Sequence, residues 1–340
     1  MNKQMLGIID ASPYTDELKP LTTHRTFSAI PIAGRYRLVD FMLSNLVNSG
    51  IYSVALFPKI NSRSLLDHLG SGKQWDLARK RDGLFVFPPR ADYPLDQSSI
   101  VSLLRYHIDY FLRSKQKYAV ITNSCTICNI DFKDVLDHHI RSNAHITEVY
   151  HKEQSLHLYV LETALLIDLI HQESFHVKTL SEFLQSFSSK YSFSRYEHEG
   201  YTMVISDISS YFNSSMDMLN RPIWDQLFAK DRPVYTKAKD EPPTRYTKTA
   251  VVKNSMIANG CVIEGYVENC IIFRGVKIEK GAIVKNSIVM QKSCVGEKGL
   301  LNYVILDKDV KIERNIQLVG DIENPNVIPK GTVQGSLMNL

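Results

Sequence analysis

The stretch from Arg25 to Gly50, RTFSAIPIAGRYRLVDFMLSNLVNSG, changes from a loop into a helix near its midpoint. Pro31 and Gly34 punctuate the first half, because proline fixes φ and glycine permits φ values that other residues avoid. Asn48-Ser49-Gly50 ends the predicted helix, and Ile51–Phe57 (IYSVALF) predicts a short buried strand after it. The apolar residues at helical spacing, which should face a core, are Leu38, Val39, Met42, Leu46 and Val47. Loop, helix and strand in this order indicate an α/β domain.

Three arginines lie in or beside the loop that opens this helix: Arg25, Arg35 and Arg37. The N-terminus of a helix favours anions, because its backbone N–H groups are unpaired and its dipole is positive there. An anion site is one interpretation of the three arginines. A solvated basic loop or a structural arginine is the other, and the sequence leaves both open.

The segment GRYRLVDFMLSNLVNSGI, Gly34 to Ile51, resembles a pattern of bacterial ADP-glucose pyrophosphorylases, which are glucose-1-phosphate adenylyltransferases. Their pattern is G-[KR]-[FY]-R-[IL]-[IV]-D-F-x-L-S-N-x-x-N-S-G-I. The resemblance implies a Rossmann-like nucleotidyltransferase domain. It also implies that Arg25, Arg35 and Arg37 lie in a region that binds anionic allosteric effectors in that family.

Composition sets broad limits on the function. The chain has 340 residues, enough for about two domains, and is 44% hydrophobic and 22% charged. A net charge of +4 is too small to argue for nucleic acid, and no apolar run is long enough to span a membrane. Five cysteines do not form a secreted disulfide framework, so we expect a cytoplasmic protein.

The first loop departs from the family pattern. Met5–Ile9 predicts a buried strand, and the related enzymes follow it with G-G-x-G-x-R-L, whose backbone cradles phosphates. Here Asp10–Leu18 contains no glycine and no arginine, and it carries the carboxylates of Asp10, Asp16 and Glu17. We expect this loop to be unfit for a nucleoside triphosphate, because like charges repel.

Three further positions are degenerate relative to the resembling enzymes. Phe27 stands where they have a phosphate-contacting lysine, and Cys125 and Val204 stand where they have the two aspartates that hold Mg²⁺. The family's substrate loop aligns with Leu95–Val101, which also departs from the pattern. The resemblance therefore implies no catalytic residues and no metal in this chain, with Mg²⁺ expected only in a catalytic partner. Asp10 or Asp207 could instead hold a metal if the chain is an enzyme with replaced ligands.

Cys125 and Cys128 form a C-x-x-C pair. Structural zinc requires four ligands, and no second C-x-x-C is present. Zinc or a redox dithiol stays open as a minor alternative to two small residues at a former metal site.

The C-terminal part repeats. Asn254, Asn269, Asn286 and Asn302 recur at nearly the ~18-residue interval of three hexapeptides, each followed by aliphatic residues. This pattern predicts a left-handed parallel β-helix, in which Cys261, Cys270 and Cys294 should face inward. Open ends and flat faces of such an array favour oligomer contacts.

We therefore predict an α/β nucleotidyltransferase-like domain over residues 1–230, a Pro-rich charged linker over 231–247 and a β-helix over 248–340. Within the resembling family the chain is most similar to the GlgD-type subunit. That resemblance implies a regulatory chain in glycogen synthesis, in a heterotetramer with the catalytic subunit or a homo-oligomer alone. An active nucleotidyltransferase is the alternative. A hexapeptide acyltransferase is disfavoured, because residues 248–340 contain no histidine.

Overall fold

The structure, a computed structural model, describes residues 4–12, 15–58, 62–88, 100–172 and 179–335. Pro13 and Tyr14 of the first loop, and residues 95–99 of the expected substrate loop, lie outside the described residues. None of the described helices is both long and apolar enough to cross a membrane.

The first part of the chain is an α/β domain. Its strands are β1 (Met5–Ala11), β2 (Pro31–Ile32), β3 (Tyr36–Arg37), β4 (Ser53–Pro58), β5 (Gly83–Val86), β6 (Tyr118–Asn123), β7 (Thr126–Cys128), β8 (Ile146–His151), β9 (Gln154–Glu162), β10 (Phe193–Glu197) and β11 (Thr202–Val204). Its helices are α1 (Lys19–Thr22), α2 (Leu38–Asn48), α3 (Arg63–Leu69), α4 (Ile100–Tyr106), α5 (Ile108–Leu112), α6 (Phe132–Ser142), α7 (Thr163–His171), α8 (Leu180–Gln185), α9 (Ile208–Asp217) and α10 (Arg221–Leu227). The α/β class predicted from the loop–helix–strand pattern is confirmed.

The central sheet has the strand order β10-β8-β9-β6-β1-β4-β5. Strands β6, β1, β4 and β5 are parallel, whereas β9 runs antiparallel to both β6 and β8. In a parallel sheet the loops at the carboxyl ends of the strands build the ligand crevice. The loop after β1 and the loop after β6 therefore meet at one edge of the sheet, where the site would lie.

Helix α2 is buried on nearly all sides. Residues Leu38 to Val47 are all buried, because one side of the helix packs on the sheet and another faces the C-terminal domain. Gly34, in the tight β2–β3 turn before it, has φ of +74°, a value that favours glycine. The predicted helix and the strand after it, β4, are confirmed.

Two details of the helical predictions are wrong. The apolar stripe that ends at Leu112 predicts one helix from Ile100 to Arg113 with Leu112 in the core. In the structure the helix is interrupted at His107, and Leu112 is 57% exposed. The spacing of Leu65, Leu66 and Leu69 predicts a common buried face in α3, but Leu66 is 37% exposed. Periodicity marks a helical face, but it does not show whether a neighbouring element covers that face.

The C-terminal part is a left-handed parallel β-helix, as predicted. Three parallel sheets run along it, with the orders β12-β15-β18-β21-β24-β27, β13-β16-β19-β22-β25 and β14-β17-β20-β23-β26. The strands are β12 (Arg245–Tyr246), β13 (Val251–Lys253), β14 (Met256–Ile257), β15 (Val262–Ile263), β16 (Tyr266–Glu268), β17 (Ile271–Ile272), β18 (Lys277–Ile278), β19 (Ile283–Lys285), β20 (Ile288–Val289), β21 (Cys294–Val295), β22 (Leu300–Asn302), β23 (Val304–Leu306), β24 (Lys311–Ile312), β25 (Gln317–Val319), β26 (Asn326–Ile328) and β27 (Val333–Gln334).

The repeated asparagines form a ladder at one corner of the β-helix. Asn254, Asn269 and Asn286 have positive φ, which asparagine tolerates better than most residues, and each donates its side-chain amide to the next asparagine. The last acceptor is Asn302. Cys261 and Cys270 face inward as predicted, but the prediction for Cys294 is wrong. Cys294 aligns with Lys277 and Lys311 on an outer face, while its neighbour Val295 is buried.

The two domains share a core. Tyr211, Phe212 and Phe41 of the α/β domain belong to the same apolar cluster as Ile271, Ile288 and Ile305 of the β-helix. The segment predicted as a linker packs along this junction. Within it, the backbone N–H of Tyr235 donates to Ser44 Oγ of α2, and strand β12 already begins at Arg245.

Candidate functional site

Side-chain hydrogen bonds hold the end of β1 and the residue that follows it. Asp10 is buried at the end of the strand, and its carboxylate accepts hydrogen bonds from the backbone N–H of Ser12 (2.9 Å) and from Ser12 Oγ (2.6 Å). Burial raises the pKa of Asp10, against the effect of these two hydrogen bonds. Ser28 Oγ donates to the carbonyl of Ala11 and lies 2.7 Å from Ser124 Oγ. These contacts tie the loop to its neighbours.

The loop after β6 is held by Asn123. Its side-chain oxygen accepts from the backbone N–H groups of Cys125 (3.0 Å) and Thr126 (2.9 Å), and its amide donates to the carbonyls of Leu156 and His157 on β9. Burial, with a smaller contribution from the nearby Asp10 carboxylate, raises the pKa of the Cys125 thiol to about 12. Cys125 is therefore a neutral thiol at pH 7.

The other two degenerate positions are apolar contacts. Phe27 is 3% exposed in a 3₁₀ turn, within the core cluster that joins the domains. Val204 ends β11, pairs with Thr126 of β7 in a two-stranded antiparallel sheet and packs against the main core. Mg²⁺ prefers oxygen ligands. A neutral thiol and an aliphatic side chain do not fit that ion, so these positions do not form a magnesium site.

The carboxylates proposed as replacement ligands have other partners. Asp207 caps α9, where its side chain accepts from the Ser210 N–H (2.7 Å) and from Ser206 Oγ (2.7 Å). Asp10 is bonded to Ser12. Among the residues that the structure describes, no group of three or more His, Cys, Asp or Glu side chains is arranged to hold a metal ion.

A basic pocket of about 690 Å³ lies where the α/β domain, the segment after it and the β-helix meet. Its acidic lining residues are Asp67, Glu241 and Asp309. Its lining lysines and arginines are Arg35, Arg37, Arg63, Lys237, Lys239, Arg274, Lys292 and Lys308. The excess of cations over carboxylates makes this pocket complementary to a small anion with more than one negative charge.

The cations of the basic pocket shift one another's pKa values. Arg37 Nη1 donates to the carbonyl (2.5 Å) and the Oγ (3.0 Å) of Ser64, and burial, with Arg25 and Arg274 nearby, lowers the Arg37 pKa to about 10. Burial, together with the charges of Arg25, Arg37 and Lys330, lowers the pKa of Lys308 to about 7. A bound anion stabilises the charged forms of crowded, partly desolvated cations, because it offsets their mutual repulsion.

Two buried atoms in the pocket wall have no hydrogen-bond partner among the residues that the structure describes. They are Nε of Arg274 and Oε1 of Gln291. Leaving a buried polar atom unpaired costs ~1–3 kcal/mol. Arg274 Nε is a donor suited to an anionic oxygen, and Gln291 Oε1 is an acceptor suited to a hydroxyl group.

The structure brings Arg35 and Arg37 together in the basic pocket. Arg25 lies behind it and is buried, donating to the Leu21 carbonyl and to both carboxylate oxygens of Asp307. The anion-binding role of these arginines stays a prediction. Arg25 would act on an anion through its charge alone, because its guanidinium already donates to Leu21 and Asp307. Lys237, Lys239, Arg274 and Lys308 were missed, because they come from later parts of the chain that reach the pocket only when the domains dock.

Fold and site together define a nucleotidyltransferase-type domain joined to a hexapeptide β-helix. Residues 7–157 match the nucleotidyl transferase family, and residues 242–329 match the GlmU-like C-terminal hexapeptide family. The chain is 51% identical over 341 residues to the glycogen biosynthesis protein GlgD of Bacillus subtilis (strain 168), covering 99% of both chains. It is 52% identical over 342 residues to GlgD of Geobacillus stearothermophilus, covering 100% of both.

The chain therefore belongs to the GlgD family. It is also 26% identical over 336 residues to the glucose-1-phosphate adenylyltransferase of Bacillus anthracis, covering 87% of this chain and 89% of that one. The resemblance stated from the Gly34–Ile51 motif is confirmed at the level of the family.

Proposed function

We propose that this chain is a regulatory subunit of glucose-1-phosphate adenylyltransferase in glycogen biosynthesis. It would have little or no catalytic activity of its own and would modulate a catalytic partner chain, in a hetero-oligomer. This proposal is carried by the combination of two features: Cys125 and Val204 stand where the related enzymes have metal-binding aspartates, and a basic pocket lies at the junction of the two domains.

The chemistry explains why the altered cleft matters. Transfer of an adenylyl group from ATP to glucose 1-phosphate requires Mg²⁺ to neutralise charge that develops on the pyrophosphate. Removing one preorganised electrostatic group typically lowers the rate by ~10²–10³. This chain lacks both metal carboxylates and carries Phe27 in place of the phosphate-contacting lysine. We expect Mg²⁺ to be bound in the catalytic partner only.

The basic pocket supports the regulatory part of the proposal. It lies at the junction of the two domains, so an anion there contacts residues of both, including Arg37 and Lys308. A ligand shifts a conformational equilibrium only when it binds the two states unequally. A change in how the domains dock would change this pocket, and anion binding would in turn bias the docking that the partner chain senses.

The test mixes the purified chain with a catalytic glucose-1-phosphate adenylyltransferase and measures ADP-glucose formation with a varied anionic effector. We expect mixing to change the maximal rate or the effector response at least about threefold. Arg274→Gln should weaken the effector response, while Arg221→Gln, at an exposed arginine of α10 outside the pocket lining, should not. An unchanged rate and effector response on mixing would reject the partnership.

The alternative, an active nucleotidyltransferase with replaced metal ligands, makes a different prediction. A thermal shift with Mg-ATP should then raise the melting temperature, because a ligand that binds only the native state stabilises it. The hydrogen bonds of Asp10 to Ser12 and of Asp207 to Ser206 and Ser210 argue against free metal ligands at these positions.

A further inference from the structure

A polar groove of about 530 Å³ lies between helix α9 of the α/β domain and one corner of the β-helix. It shares no lining residue with the basic pocket, and its volume falls in the range of small-molecule sites. We call it the asparagine groove. Asparagines line it from both domains: Asn213 and Asn220 from the α/β domain, and Asn254, Asn269 and Asn286 from the β-helix.

The asparagine ladder leaves part of each amide unused. An asparagine side chain has two N–H donors and an oxygen that accepts two hydrogen bonds. Asn254, Asn269 and Asn286 each donate one N–H along the ladder, and the second N–H of each has no partner among the described residues. Successive coils lie ~4.8 Å apart, so the groove presents donors and acceptors at a regular spacing.

The ladder stabilises a corner of the β-helix, but the two asparagines on the opposite wall have no comparable structural role. Asn220 occupies the N-cap position of α10, yet its side chain makes no capping hydrogen bond within the described chain. The amide of Asn213 donates to Ser209 Oγ at the long distance of 3.4 Å. Asparagine is therefore concentrated on both sides of the groove beyond what the fold requires.

Apolar side chains line one end of the groove. Strand β13 ends at Lys253 and β14 begins at Met256, a corner of two residues, whereas residues 320–325 connect β25 to β26. Ile322 of this longer corner lines the groove and is 56% exposed. The half-buried Tyr303 also lines it, and its ring centroid lies 6.2 Å from that of Phe212. The groove therefore combines a row of amides with apolar surface at one end.

We propose that the asparagine groove binds a neutral oligosaccharide. Among the described residues that line it, Asp217 alone is charged, and its carboxylate repels the anions that the basic pocket attracts. A sugar hydroxyl both donates and accepts hydrogen bonds, which matches a row of amides, and the C–H faces of sugar rings cover the apolar surface of Tyr303 and Ile322. This site is separate from the basic pocket and does not depend on the proposed regulatory role.

Calorimetric titration of the full chain with maltoheptaose, up to ~10 mM, tests the proposal. Maltoheptaose is a neutral glucose oligomer, chosen because the most similar relatives named above are glycogen biosynthesis proteins. The hydrogen bonds to the sugar replace bonds to water, so we expect weak, saturable binding with a Kd of about 1 mM. Asn269→Gly removes the central rung, and glycine tolerates the positive φ there, so Kd should rise at least about fivefold. Asn220→Ala leaves the ladder intact and should raise Kd at least about threefold.

The matched control is Asn315→Gly, at an exposed asparagine with φ of +61° that does not line the groove; it should change Kd less than about twofold. Arg274→Gln in the basic pocket should also leave maltoheptaose binding unchanged, which separates this site from the proposed effector site. If Asn269→Gly fails to fold, Asn220→Ala decides. Absence of saturable binding at ~10 mM, or a rise in Kd below about threefold for Asn220→Ala, would overturn the proposal. So would competition by sulfate, since the sugar would then occupy the basic pocket.

Discussion

Arg25 and Asp307 form a buried ion pair that joins the two domains of this protein. Arg25 follows α1 in the α/β domain, and Asp307 follows β23 of the β-helix, 282 positions later. Nη2 of Arg25 donates to Oδ1 at 2.7 Å and to Oδ2 at 3.0 Å, and both side chains are almost fully buried. The next residue, Lys308, lines the basic pocket. The pair therefore links domain docking to the shape of the proposed effector site.

Removing one partner of this pair should destabilise the protein strongly. Asp307→Ala leaves a buried guanidinium without its carboxylate, which typically costs about 3–5 kcal/mol. The urea midpoint should fall accordingly. The control is Asp225→Ala, which breaks the exposed Arg221–Asp225 pair of α10 and should cost less than about 1 kcal/mol. Equal losses in the two variants would show that the buried pair contributes no more than a surface one.

Phe27 should behave as a core residue rather than as part of a binding site. Phe27→Ala is expected to cost about 3–5 kcal/mol in the free energy of unfolding, because it leaves a cavity where the two domains pack. Phe85→Ala is the control, since Phe85 is 41% exposed on β5. Measured by urea unfolding, a smaller loss for Phe27 than for Phe85 would contradict this assignment.

Anion binding in the basic pocket should weaken as pH rises from 6 to 8. The pKa of Lys308 is lowered to about 7, so its ammonium is mostly charged at pH 6 and mostly neutral at pH 8. Sulfate is a suitable probe because its own charge is constant over this range. Calorimetric titration at constant ionic strength should show Kd rising several-fold with pH. In Lys308→Gln the affinity should be lower at pH 6, and its change with pH should be much smaller; an unchanged pH profile would remove Lys308 from the site.

The cysteines should differ in reactivity. Burial raises the pKa values of Cys125 and Cys128 to about 12, so very little thiolate exists at neutral pH. Cys294 is partly exposed on an outer face of the β-helix, where burial and Glu279 raise its pKa and the charges of Lys277 and Lys311 offset part of that rise. Alkylation at pH 7.5 followed by peptide mapping should label Cys294 first. Rapid labelling of Cys125, or a disulfide between Cys125 and Cys128, would revive the redox interpretation of the C-x-x-C pair.

Local patterns predicted the fold well because each element repeats a simple period. The strongly apolar residues of α2, from Leu38 to Val47, recur at helical spacing, and the asparagines that begin at Asn254 recur at nearly the interval of one three-hexapeptide coil. Cys294 was misassigned because a small residue suits either the inside or the outside of a coil. Leu112 was misassigned because an apolar stripe does not show where the covering elements stop.

The candidate site was only half predictable, for a physical reason. Arg35 and Arg37 were found because they lie in one continuous motif, and the changes at Phe27, Cys125 and Val204 were found by comparison with a family pattern. Arg274 and Lys308 come from separate coils of the β-helix and reach the pocket only through docking of the domains. No local sequence period encodes that convergence or the Arg25–Asp307 pair.

The most direct test of the central claim is the rate at which the purified chain alone forms ADP-glucose from ATP and glucose 1-phosphate with Mg²⁺. Beside a catalytic glucose-1-phosphate adenylyltransferase assayed under the same conditions, we predict a rate at least about 10³-fold lower, since Cys125 and Val204 replace both metal carboxylates. A rate within about tenfold of that of the catalytic chain would contradict the proposed regulatory role, whether or not Asp10→Asn or Asp207→Asn abolishes it.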